Sequence, residues 1–79
     1  MARYFFHFRN GAEFIEDLEG LELASANIAR TRGVESLRDV LAGDVLWGIL
    51  DCGASIEIED EQHRRVADIV CDDALTIIR

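Results

Sequence analysis

Apolar and polar positions change their period several times along this chain, and each change marks an element. Arg3 to Arg9 is dense in aromatic side chains. The dipeptide that follows, Asn10-Gly11, favours the left-handed backbone of a tight hairpin turn. The run therefore reads as a first strand that turns back through Glu13 to Asp17. Alternation puts Tyr4, Phe6 and Phe8 on one face and Phe5 and His7 on the other. A two-residue Asn10-Gly11 loop sets Phe6 opposite Ile15 and His7 opposite Phe14, and a bulged loop moves that register by one. Asp17 to Leu23 is an acidic connection containing Gly20.

Ser25 is placed to accept the free amides of a helix start, and the pattern predicts a helix from about Ala26 to Ala42. Ala26, Ala29, Gly33, Leu37, Val40 and Leu41 recur at steps of three and four, with Arg32, Glu35 and Asp39 opposite. Glycine inside a helix costs about 1 kcal/mol against alanine. Its place on the apolar stripe at position 33 therefore implies close approach to strands below, the alternative being a helix broken there. Gly43 is the expected left-handed end. Asp44 to Gly53 then reads as an irregular segment or short turn that tucks Leu46 and Trp47 against the core.

Ser55 to Glu59 alternates, with Ile56 and Ile58 on one face and Glu57 and Glu59 on the other; Arg65 to Cys71 is a second apolar run, and Asp60 to His63 is the turn between them. Asp72 to Arg79 is too short to assign, although Leu75, Ile77 and Ile78 imply that it is tied down. The expected class is α+β, a four-stranded antiparallel sheet in β-β-α-β-β order with one main helix on one face. No proline, repeat or low-complexity stretch marks a linker, so residues 1–79 read as one unit.

Composition narrows the function. The 79 residues carry 16 acidic against 8 basic side chains, a formal net charge of −8, and all the basic residues are arginine. Phosphate backbones and anionic lipid demand a clustered positive patch, so neither nucleic acid nor membrane is an expected partner. No apolar run reaches the roughly 20 residues of a membrane span, and the first residues lack a signal-peptide stretch, which makes the cytoplasm the expected location. A chain this short supplies only about 3–5 kcal/mol from a single core, and chains of this size often gain stability from a partner subunit.

The opening Arg3-Tyr4-Phe5-Phe6-His7, the Asn10-Gly11 turn, the segment Asp17-Leu18-Glu19-Gly20-Leu21-Glu22-Leu23 and the closing Asp73-Ala74-Leu75 together resemble a family of short bacterial proteins catalogued as a domain of unknown function. The resemblance covers nearly the whole chain. It departs where Ser25 stands for an Asp at the helix start, His63 for a turn Gly and Gly33 for an Ala. It implies the architecture and carries no catalytic residue, cofactor or partner.

Candidate binding residues are His7, Asp17, Glu19 and Trp47. His7 has side-chain chemistry near neutral pH and can be a base, a ligand or a hydrogen-bonded structural histidine. Catalysis also wants a nucleophile and an orienting carboxylate; Glu16 or Asp17 offers the second, and nothing offers the first. Glu16, Asp17, Glu19 and Glu22, like Glu57, Glu59, Asp60 and Glu61, are hard-cation oxygens without calcium-loop spacing, so no metal or cofactor is expected. Asp17 to Gly20 also reads as a turn in which Gly20 is left-handed and the carboxylates cap nearby amides. Trp47, with Leu46, Ile49 and Leu50, is either core filling or a partner-binding patch.

Cys52 and Cys71 are too few for a disulfide framework. If Glu59 faces Arg64, the same register makes them cross-strand neighbours, expected as free thiols. The expected function is a non-enzymatic interaction module whose partner is a second copy of itself. The alternatives are an acidic regulatory or antitoxin-like protein that holds a basic protein, and a small-ligand binder using His7 and the loop carboxylates.

Overall fold

The structure is a computed structural model and describes residues 1–76 and residue 78. Its elements run β1 (Ala2–Asn10), β2 (Glu13–Ile15), β3 (Leu21–Leu23), α1 (Ala26–Leu46), β4 (Ala54–Glu59), β5 (Arg65–Ile69) and α2 (Cys71–Ala74). This is an α+β fold with one main helix. The antiparallel sheet has five strands, not the four expected, because the acidic connection contains β3. β1 is central, with β4 and then β5 on one side. β2 and β3 lie end to end on the other side, β2 against Phe8–Asn10 and β3 against Ala2–Tyr4.

One face of the sheet carries Tyr4, Ile56, Ile58, Ala67 and Ile69, buried beneath α1, with Phe6 and Phe8 packed against them. The stripe of α1 that meets them is Ala29, Gly33, Leu37 and Leu41, at strict steps of four. Leu37, Leu41, Ile58 and Ile69 are sealed from solvent, each worth about 2 kcal/mol of transfer free energy. A Cβ built on Gly33 would lie 2.8 Å from Ile58 Cδ1 and 3.0 Å from Ile69 Cγ1, so the helix is unbroken there and sits close on the strands. Ser25 Oγ accepts the Ile28 amide at 3.2 Å and caps the helix start.

Four further expectations are corrected. The first is the hairpin register. The loop is Gly11-Ala12, and Phe8 faces Ile15 while Arg9 faces Phe14. Gly11 at φ +60 takes the first central position of the turn. Asn10 stays in the strand, where its side chain donates to Asp51 Oδ2 at 2.7 Å.

The second concerns the helix end. α1 continues through Gly43 to Leu46, and the left-handed residue that reverses the chain is Gly48, at φ +79. This sets the helical phase of Leu46 and Trp47, one and two positions past the buried stripe, so they are 87% and 85% exposed and do not fill the core.

The third is the β4–β5 turn. It is one residue longer than expected, since the Asp60 amide donates to the Arg64 carbonyl and Glu59 faces Arg65. A further shift between Ile58 and Glu59 sets Ile56 opposite Ile69. The register that made Cys52 and Cys71 directly opposed therefore does not hold. Both thiols are free, Cys52 exposed and Cys71 buried at the start of α2. They are neighbours all the same, since the Cys52 thiol is the main influence that pushes Cys71 up to about 11.

The fourth is the chain end. Leu75 packs against the core as expected, and the carbonyl of buried Ala74 accepts Arg38 Nε at 3.0 Å, but Ile78 is exposed and so is not tied down. Ile77 lies outside the described residues. No helix among the described residues is long and apolar enough to cross a membrane.

Candidate functional site

His7 lies on the sheet face away from α1, 5% exposed, between the rings of Phe5 and Phe14. The connection from β2 to β3 covers it. Its Nδ1 accepts the Asp17 amide at 3.0 Å, which requires a lone pair on that nitrogen. The proton is thereby fixed on Nε2, which donates to Glu59 Oε1 at 2.9 Å. His63 approaches the same carboxylate oxygen at 3.7 Å from the β4–β5 turn, where it holds a left-handed backbone at φ +62, a conformation that favours glycine.

The Asp17 carboxylate completes the arrangement. Oδ2 accepts the Phe6 amide at 3.0 Å, and Oδ1 accepts the amides of Glu19 and Gly20 at 3.1 Å each. Burial raises its proton affinity, but the three amides outweigh burial and hold it below the ordinary carboxylate range. On the outer edge of β1, Phe8 is matched by Ile15 and Tyr4 by Leu21, and Phe6 between them is matched by Asp17. One carboxylate thus bridges the gap between two short strands. Gly20, at φ +69, rests directly on β1, where a Cβ would lie 2.9 Å from the Tyr4 carbonyl oxygen. Arg3 fastens the outside by donating to the Glu19 carbonyl at 2.7 Å and to Glu22 at 3.2 Å.

The structure brings His7, Asp17 and Glu19 together and leaves Trp47 apart at the end of α1. Of Glu19 the cluster uses the backbone. Sequence reasoning missed Glu59 as the partner of His7, because the pairing of β1 with β4, which sets Glu57 opposite His7 and Glu59 opposite Phe5, spans most of the chain. Hydrogen bonding to His7 holds Glu59 below its usual range.

Chemically the cluster is closed. Both imidazole nitrogens are committed, no hydroxyl or thiol adjoins them in these contacts, and no group of three or more His, Cys, Asp or Glu side chains among the described residues is arranged to hold a metal. The rest of this face is a ladder of charge. Arg9 reaches Glu57 at 2.6 Å and lies over the Phe14 ring, and Arg65 bridges Glu57 and Asp68 at 3.2 and 2.7 Å.

An antiparallel sheet braced by one main helix, with the buried His7 hydrogen-bonded to the β2–β3 connection and to Glu59 of β4, defines a small α+β protein. Comparison with family profiles then places it. The profile described as "Domain of unknown function (DUF6894)" matches residues 3–72, and the chain belongs to that family. Neither the curated proteins nor the solved structures searched gave a match.

Proposed function

We propose that this chain is a non-enzymatic interaction module of the cytoplasm that works as a homodimer. The observation that carries the reading is a division of surfaces. The polar face is satisfied within the chain, whereas Val45, Leu46, Trp47, Ile49 and Leu50 form an exposed apolar set at the end of α1. Five exposed apolar side chains grouped at one helix end mark an association surface, set apart from the exposed Phe14, Ile15, Leu18 and Leu21 of the β2–β3 edge. Sedimentation equilibrium of the wild-type chain at tens of micromolar, where ordinary reversible dimers are populated, tests it. A mass of twice 8.9 kDa is expected, and a monomer throughout overturns the homodimer. Reproducible turnover in an activity screen, lost in His7→Ala, overturns the non-enzymatic part.

A second reading, an acidic protein that holds a basic one, is favoured by the β2–β3 edge. Glu13, Glu16 and Glu19 have no arginine partner among the described residues and alternate with exposed Phe14, Ile15, Leu18 and Leu21. Association with a basic partner weakens as salt is added.

A further inference from the structure

The apolar stripe of α1 does not stop where the sheet stops. Ala29, Gly33, Leu37 and Leu41 are buried, and the next step of four is Val45, which is half exposed. Beyond it the chain is firmly shaped. The amides of Trp47 and Ile49 both donate to the Asp44 carbonyl at 3.0 Å, and Gly48 turns the backbone so that Ile49 and Leu50 return past Val45. Asp51 then anchors the return through Asn10 at 2.7 Å and the Gly53 amide at 2.9 Å. Between these supports lies a recess of about 350 Å³ lined by Val45, Gly48, Ile49 and Leu50, with the exposed Trp47 beside it.

We propose that this overhang seats a second copy of the chain in a two-fold dimer, the Trp47 indole of each protomer entering the recess of the other. The inference rests on the homodimer reading and adds the surface. A two-fold contact requires one patch to carry both a projection and its complement, which Trp47 and the recess provide. Trp47 alone leaves roughly 200 Å² open. With its four apolar neighbours the area reaches on the order of 600 Å², near the ~800 Å² each partner gives to a standard interface. The open sheet face, by contrast, already pairs Arg9, Glu57, Arg65 and Asp68 within one chain. Each protomer carries a net charge of −8, and Asp44 and Asp51 flank the patch, so the two copies repel and added salt strengthens the dimer.

Trp47 is the sole tryptophan and reports directly. Its emission and the sedimentation mass are followed from about 1 to about 100 µM, the range bracketing an ordinary reversible dimer, at low and high sodium chloride. The expected result is a blue shift that tracks the rise to twice 8.9 kDa, stronger at high salt. Ile49→Glu and Trp47→Ala should each raise the dissociation constant about tenfold or more, with far-UV circular dichroism unchanged because both side chains are exposed. A dimer that persists in both variants, or whose assembly leaves Trp47 emission unmoved, overturns this surface while sparing the homodimer. A monomer at every concentration overturns both. A dimer weakened by salt, or a monomer whose Trp47 is covered only on titration with a basic amphipathic peptide, also overturns the proposal.

Discussion

Asp17 does the work of a missing strand residue, and its charge state is therefore tied to stability. Three backbone amides hold its carboxyl below the ordinary value. A carboxyl whose folded value is lowered contributes its full stabilisation above the unfolded value of about 3.9, and loses it as pH falls through the folded value. Asp17→Ala is expected to cost about 2–3 kcal/mol at neutral pH, since bonds to a charged acceptor are worth more than neutral ones but this one is partly open to water. Urea titrations at pH 7 and pH 3 check the sign, because the gap between wild type and variant should narrow in acid. At this scale much was legible. The order Asp17-Leu18-Glu19-Gly20 already reads as a capped turn with a left-handed glycine, as found. What stayed hidden was the reach to Phe6 and the pairing of His7 with Glu59, which depend on partners brought near only by folding.

Within elements, the two helical glycines have opposite meanings. Gly33 is wedged against Ile58 and Ile69, whereas a Cβ on Gly43 would meet nothing within 4 Å. Gly43→Ala should therefore raise stability by about 0.5–1 kcal/mol from helix propensity alone. Gly33→Ala gains the same propensity but overpacks a sealed layer, a cost of about 1–3 kcal/mol, so a net loss is expected. Adding Ile58→Val, which removes the Cδ1 atom that the new methyl meets, should recover much of it. Thermal denaturation of the two single variants and the double variant measures the coupling. The helix start at Ala26 and the close approach at Gly33 were readable from the pattern. Its end was not, because Gly43 carries a C-cap signal that the chain overrides by running one further turn to Gly48. The three-residue β3 escaped for a similar reason, being too short for its Leu21-Glu22-Leu23 alternation to stand out from a connection.

For the whole molecule, association and stability are linked. If the folded dimer is the stable species, the melting temperature should climb with protein concentration, as differential scanning calorimetry across a hundredfold dilution series would register; a constant value would mean that the subunits fold and melt alone. The class of fold followed from the sequence, but the placement of strands did not, since β1 meets β4 across the intervening β2, β3 and α1. That placement bears on solubility. Along the outer side of β1 the sheet border is broken into two pieces of three residues with the Asp17 turn between them. The opposite border, β5, is five residues long and follows a register shift in its pairing with β4. Neither border offers another chain a long, flat row of amides to copy, so templated growth into fibres is blocked at both ends of the sheet. The proposed contact through the helix end, by contrast, would close on itself after two copies.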